Sequence, residues 1–532
     1  MLKYFTCFLL TTSFFVASAQ KVKVTWGEES KIELTYNSFV NGEGTDMIKL
    51  CTESHGGGLF GGKRTITPVL SRYNDKLAET NVRRYEVDDN NINLNNLLSI
   101  KGKIFMLTSQ YDKESKSTSY YSQGINIKSL QPEGKPTNLG SFEALNKTSI
   151  SSVGYILSKD SSKMMVLALS PYSKKENEKY YMAVYDNLMK KLWDNTVELP
   201  YKDKFIKVLS NIVTNDGKVG IILKHYDQEV TKESVKNDGN RTPSYKTKFL
   251  LYEQGNKLPT EFILNTGEKF IHTLQLTNDM NNNLSLFGLY KNRYDGYVSG
   301  FFTTTINKET KQVGAAKMEA FPETLIDQVK IDKQGSNKEK DPGLGNEFKL
   351  AQMIDREDGS KDYLLEFNRE VYHPSSYVSN GKGGGYWTSA YWTYDDGDIL
   401  DICFQPNSKI VITRVPKMQN SGTYRIYSNF LALPYKDKLL LFYNDDRDNV
   451  EREITKRPED ISKFGKSIFA MAVIDSKGNL NRSTIYDHKE MNLTTAVREC
   501  KLLDRKRIGL YAMRGGGLFS AAKDMIGMLQ VE

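Results

Sequence analysis

The chain has 532 residues, 39% hydrophobic, 26% charged and 11% aromatic, a globular composition rather than that of a disordered chain. Its net charge of +8 is mild for this length and its lysines and arginines are scattered, so no nucleic-acid partner is expected. Thirty-one tyrosines against 14 prolines favour a strand-rich, exported protein.

The first element is a leader. Lys3 precedes an apolar run over 5–16, and Ala17-Ser18-Ala19 is a small-residue cleavage signal. Residues 1–19 therefore read as a signal peptide, with Gln20 first in the mature chain. The run is too short to span a bilayer, and no later stretch is long and apolar enough to be a transmembrane segment. The expected location is periplasmic, outer-membrane-associated or extracellular. Cys7 leaves with the leader, so Cys51, Cys403 and Cys500 remain, an odd number that makes no complete disulfide framework. All three lie in apolar runs as small buried hydrophobes; one Cys51–Cys500 bridge is the alternative.

Residues 20–532 read as one repeat fold. Short alternating runs of Val, Ile, Tyr, Phe and Leu recur from end to end, separated by Asn, Asp, Gly and Lys turns. Helical periodicity is confined to charged stretches at 323–333 and 448–463. Each unit pairs a first strand with a more apolar second one, then after a variable loop adds a hairpin. Tyr73-Asn74-Asp75-Lys76, Tyr185-Asp186-Asn187, Tyr252-Glu253-Gln254-Gly255-Asn256, Gln405-Pro406-Asn407-Ser408 and Asp475-Ser476-Lys477-Gly478-Asn479 have the composition of that hairpin's turn. Two joints share the hexapeptide Leu-Pro-Tyr-Lys-Asp-Lys, at 199–204 and 433–438. Gly-Gly-Gly-Leu-Phe occurs twice, at 56–60 and 515–519, each copy between two strand-like runs.

These units fall at 37–87, 97–142, 150–199, 206–264, 271–319, 348–415, 427–485 and 493–532. The spacing predicts an all-β fold, a β-propeller of four-stranded blades, eight in number with seven as the alternative. The last unit is one strand short, so a strand at 21–26 or 31–36 is expected to complete it and close the ring. A pair of β-sandwiches would need a linker near the middle; the polar segment 333–346 comes too late and reads as a loop between blades.

Several motifs invite chemistry. Residues 55–64 approach a phosphate-binding loop, but Arg64 stands where Ser or Thr must hold magnesium, and a strand follows instead of a helix. The five histidines have no metal-ligand spacing, and no serine sits in a nucleophile elbow. Asp395, Asp396, Asp398 and Asp401, or Asp445, Asp446 and Asp448, could offer oxygen ligands to calcium, although neither set has EF-hand spacing. Solvated turn acids are the plainer reading, and no cofactor is expected.

Residues 372–394 carry the strongest binding signal, with His373, Tyr377, Tyr386, Trp387, Tyr391, Trp392 and Tyr394 around four glycines. Aromatic rings with a polar edge give large contact area at small entropic cost. Tyr391 and Trp392 are expected to be partly core, and the glycine-flanked Tyr386 and Trp387 exposed. The candidate ligand-binding set is His373, Tyr377, Tyr386, Trp387 and Trp392. This stretch lies between the second and third strands of its unit. So do both Gly-Gly-Gly-Leu-Phe copies and the segments 115–121, 225–245 and 446–463, which places the variable loops on one face.

From 394 to 446 a further pattern runs through Asp398-Ile399-Leu400-Asp401, Arg414-Val415-Pro416-Lys417-Met418-Gln419, Ser428-Asn429-Phe430-Leu431-Ala432-Leu433 and Leu441-Phe442-Tyr443-Asn444-Asp445. About a tenth of the chain thereby resembles exported, mostly uncharacterised β-propeller-like proteins of the Bacteroidota. Pro406-Asn407-Ser408 replaces their usual glycine turn. The resemblance implies an envelope or extracellular setting and supplies no reaction. The expected function is non-catalytic binding of an envelope protein or glycan through the loop-rich face. The alternative is a polysaccharide-directed hydrolase or lyase with its site in the propeller channel.

Overall fold

A computed structural model describes residues 20–32, 35–41, 47–55, 65–85, 92–143, 152–230, 232–237, 239–279, 282–307, 312–331, 333–336, 342–379, 385–422, 425–515 and 522–532. Residues 1–19, expected to be a leader, the first Gly-Gly-Gly-Leu-Phe copy, most of the second and the phosphate-loop look-alike lie outside the described residues.

The strands form eight antiparallel blades in chain order, the arrangement of an eight-bladed β-propeller. Blade 1 opens with Thr35–Asn41, Met47–His55, Thr65–Tyr73 and Glu79–Arg84. Blade 2 contains Ile92–Ile100, Lys103–Asp112, Ser117–Ile125 and Pro132–Glu143. Blade 8 has Arg507–Arg514 and Lys523–Val531 as its middle strands, and Val22–Trp26 pairs with the latter from Val22–Val531 to Trp26–Gly527. The N-terminal strand closes the ring, as the missing strand required. Lys523 and Arg514 reach Glu29 at 2.8 and 3.3 Å beside this seam.

Second strands are apolar because both faces are covered. In blades 3, 4 and 7, Lys163–Leu169, Val219–Tyr226 and Lys438–Asp445 are buried almost throughout. Successive apolar clusters lie between neighbouring blades rather than in one centre. The seam between blades 8 and 1 is one of them, joining Phe39, Met47 and Tyr73 to Ala496, Tyr511 and Ile526. Cys51 and Cys500 flank it as free buried thiols, as is Cys403, so the alternative Cys51–Cys500 bridge is not formed.

The antiparallel order puts the loops after second strands and the connections between blades on one face, and the short turns on the other. The loop-rich face carries the hairpin Ser234–Asn237/Asn240–Pro243, the helix Glu323–Ile331 and the segment 446–467. The helix buries Leu325, Ile326 and Val329 against blades 5 and 6, and the described residues of the segment 333–346, at 333–336 and 342–346, belong to that interblade connection. The helical expectation for 448–463 fails: the 3₁₀ turn Arg447–Asn449 leads into irregular chain. In blade 2 the expected loop at 115–121 shrinks to a turn, since Ser117–Ile125 is already the third strand.

The two hexapeptides occupy different joints. The first continues the outer strand Lys191–Lys202 into a 3₁₀ turn, whereas the second makes the hairpin between Phe430–Tyr435 and Lys438–Asp445. Their identity carries no repeat information.

Candidate functional site

Blade 6 departs from the others in strand length. Its middle strands, Lys361–His373 and Tyr391–Phe404, run 13 and 14 residues. The first strand, Phe348–Asp355, pairs only as far as Phe367, and the fourth, Ile410–Val415, begins its pairing at Ile399. Residues 368–373 and 391–396 therefore run on past both on the loop-rich side; the short strand Gln419–Ser421 still pairs with Asp396 to Tyr394, and beyond it 371–373 and 391–393 stand as a two-stranded ribbon. The pairing resumes in the same register through Ser376–Ser379 and Gly385–Thr388, with Tyr377 opposite Trp387 and Val378 opposite Tyr386.

Opposed residues in a ribbon share a face. One face carries His373 stacked on Tyr391, their rings 4.5 Å apart and 13° from parallel, with His373 Nε2 2.8 Å from Thr393 Oγ1. The other carries Tyr372 against Trp392, ring centres 4.9 Å apart. With no neighbouring strand to cover them, Tyr372, Tyr391 and Trp392 stay 52%, 46% and 43% exposed. The expectation that Tyr391 and Trp392 are partly core is thus corrected. His373 and Trp392 share the ribbon but not a face. Of Tyr377, Tyr386 and Trp387, only the backbone is described.

Charge anchors the ribbon's root. Asp396, fully buried, receives Arg425 Nε at 3.0 Å, Ser428 Oγ at 2.5 Å and Asn368 Nδ2 at 2.5 Å. Burial alone would push its pKa up, but the Arg425, Lys417 and Ser428 interactions outweigh it and hold the carboxyl below its usual range. Arg425 also faces Glu370 at 3.4 Å and lies over the Tyr394 ring at 4.9 Å. Lys417, with no exposed surface, donates to Glu366 at 2.8 Å and to the Asp396 carbonyl and Gln419 Oε1 at 3.1 Å. From Gln419 the network continues to the Asn444 carbonyl of blade 7, and Asn444 Nδ2 reaches the Thr495 carbonyl of blade 8. Gly397 is needed here, because a Cβ would come within 2.8 Å of the Gln334 amide.

The calcium candidates are occupied by other partners. Asp395 faces Arg369, Asp398 faces Arg414 at 2.6 Å, and Asp401 faces Arg356 at 3.2 Å. Asp445 accepts from Asn449 Nδ2 at 2.7 Å, and Asp446 caps the following turn through Asp448 N at 3.0 Å. No group of three potential metal ligands converges among the described residues. A Ser467–His488 pair, 2.9 Å apart, has the geometry of a catalytic dyad, but both are buried and His488 Nε2 contacts Thr495. It holds a loop together.

The sequence signal missed part of the charged framework. Arg425 and Glu370 belong to this site, and neither stands out from its neighbours in sequence. Tyr372 was visible in the aromatic stretch, but its pairing with Trp392 depends on register.

No known protein family and no curated protein matches the chain. Among solved structures it is similar to the β-propeller domain of the Trilobed protease from Pyrococcus furiosus, at 10% identity over 72% of this chain and 94% of that one, TM-score 0.31. It is also similar to the WD40 domain of SCAP from fission yeast, at 8% identity over 96% and 94%, TM-score 0.38. A protein of unknown function from Dyadobacter fermentans DSM 18053 matches at 8% identity over 96% and 99%, TM-score 0.29. These likenesses add nothing to the propeller read from the strand pairing. Among the described residues no helix is long and apolar enough to cross a membrane.

Proposed function

We propose that this chain is an exported, non-catalytic β-propeller that binds an envelope protein or glycan through its loop-rich face, with the blade 6 ribbon as anchor. The leader at 1–19 and the resemblance to exported Bacteroidota propellers support the setting. The observation that carries the reading is the pair of exposed aromatic stacks, Tyr372–Trp392 and His373–Tyr391, on a ribbon rooted in buried ion pairs. Exposed rings held rigidly lose little entropy when a partner covers them, which is the economy of a binding surface. The ribbon's carboxylates face guanidinium groups, so the reading needs neither a catalytic acid nor a cofactor.

The test compares the wild-type chain with Tyr372→Ala/Trp392→Ala and Tyr386→Ala/Trp387→Ala in pull-downs from envelope extracts. Both variants should lose at least tenfold in retained partner while keeping the wild-type thermal midpoint. Treating the extract with protease or with periodate then distinguishes a protein from a glycan. Unchanged retention by both variants would refute the ribbon as anchor.

A further inference from the structure

A concavity lies on the opposite, short-turn face, between blades 2 and 3. It is a cavity of about 480 Å³, within the size range of small-molecule sites. Its origin is a break in the outer strand of blade 2. Pro132–Glu143 leaves register with the third strand between Glu133 and Thr137. Gly134 takes the left-handed backbone, with φ of +67°, a conformation that suits glycine. The displaced stretch is pinned rather than slack: Gln123 Nε2 donates to the carbonyls of Glu133 and Gly134 at 2.8 and 3.2 Å.

Lifting that strand places Ser122 at the cavity wall. The residue is 2% exposed, and its hydroxyl has no hydrogen-bond partner among the described residues. A buried hydroxyl left so costs about 1–3 kcal/mol, and in native proteins such a group usually has a water or ligand to meet. Lys103, Lys128 and Lys135 also line the cavity, all exposed, and none makes an ion pair among the described residues. The only carboxylate in the described lining, Glu133, already accepts from Asn126 Nδ2 at 2.8 Å. Buried Phe105 and Met189 supply an apolar wall, from blade 2 and from a turn of blade 3.

A bulge and a lysine on an outer strand would by themselves serve to block edge pairing. That role requires neither a hollow behind the bulge nor an unpartnered hydroxyl within it. We propose that the cavity binds a compact organic anion, an oxyanion on an apolar or ring-shaped body. The three lysines meet the oxyanion, Ser122 donates to it or to a ring substituent, and Phe105 and Met189 cover the apolar part.

The probe is 4-fluorobenzoate, followed by fluorine NMR on the full mature chain, with 4-fluorobenzyl alcohol as its neutral counterpart. The expected result is saturable binding of the benzoate, at least tenfold tighter than the alcohol and weakened by added salt. Lys103→Glu/Lys135→Glu should weaken it at least tenfold, and Ser122→Ala several-fold, without moving the thermal midpoint. Inorganic phosphate should compete only weakly. The proposal is overturned if the benzoate does not saturate, or if the alcohol binds equally well. It is equally overturned if phosphate competes as strongly as benzoate itself, or if the well-folded lysine variant binds like wild type.

Discussion

Lys417 offers the most direct test of how blade 6 holds its ribbon. Its ammonium group has no exposed surface and spends its three donors on Glu366, the Asp396 carbonyl and Gln419. Lys417→Met keeps the aliphatic stem and removes the charge, leaving the Glu366 carboxylate, 5% exposed, without its partner. Removing one member of a buried pair costs about 3–5 kcal/mol, because the other charge stays desolvated. An unfolding entropy of about 2.1 cal/mol/K per residue, over roughly 500 residues, gives about 1 kcal/mol/K and a fall of about 3–5 °C in thermal midpoint if the ring unfolds as one unit. Glu366→Met/Lys417→Met should recover most of that loss, since the apolar pair fills a similar volume with no charge to desolvate.

The same substitution has a pH signature. Burial raises the Glu366 pKa above its ordinary value even with Lys417 opposing, so the folded state holds the proton more tightly than the unfolded chain. Stability from this group is therefore present below the unfolded pKa, about 4.3, and lost as pH rises through the folded value. Without Lys417 the folded value moves further up, and the gap between variant and wild type should narrow on acidification. Scanning calorimetry between pH 5 and 8 measures both effects. A single variant within about 1 °C of wild type, or a double variant as damaged as the single, would refute the network as anchor.

Trp26→Ala strips the ring that covers Gly527 and meets the edge of Tyr486 at 5.8 Å; a loss of about 2 kcal/mol is expected for this part-buried side chain, with earlier tryptic cleavage in blade 8 as the readout. His488 is driven down to about 4 by burial, opposed only in part by the Phe464 and Ser467 backbone contacts. Its contribution is complete above the unfolded pKa of about 6.5 and lost as pH falls towards 4, on the order of 3 kcal/mol. His488→Gln should flatten that limb of a urea-midpoint profile; an unchanged slope counts against it. Burial lifts the Cys51 and Cys500 thiols to about 11 and 12, so the native chain produced from Gln20 onward should be inert to a disulfide-exchange reagent and release three thiols in guanidinium. Fewer than three would contradict the free-thiol assignment.

The ring was legible in the sequence because each blade repeats its physics. Hairpin turns at Asn74, Asn187 and Asn407 follow strands whose apolar density reports burial on both faces, and the shortfall at the C-terminus pointed to a closing strand. What escaped depended on partners distant in the chain. Tyr391 and Trp392 alternate like half-buried strand residues, yet their exposure is set by where Phe348–Asp355 and then Gln419–Ser421 cease to pair. The acids of 395–401 were visible, whereas Arg356, Arg369, Arg414 and Arg425, which neutralise them, carry no local mark. The first strands hold a further regularity. In blades 1, 2, 4, 5 and 6 the register slips at Asn37, Asn95, Leu209, His272 and Ala351. These residues share no chemistry, so the slip is a property of the first strand's backbone rather than of any side chain.

That division explains why the candidate sites sit where they do. Blade-to-blade apolar clusters stabilise the ring and constrain its second and third strands, leaving freedom chiefly at strand ends and outer edges. Blade 6 uses that freedom at a strand end, extending two strands beyond their neighbours. An apolar root would have merged with the core clusters and drawn the ribbon down onto the blade. Buried ion pairs instead fix its direction through oriented hydrogen bonds, so the aromatic rings stand clear of the surface. Blade 2 uses the same freedom at an outer edge, where a pinned bulge opens a cavity without disturbing the strands beneath. In both places a change in strand length or register, rather than a catalytic motif, creates the feature on which binding would depend.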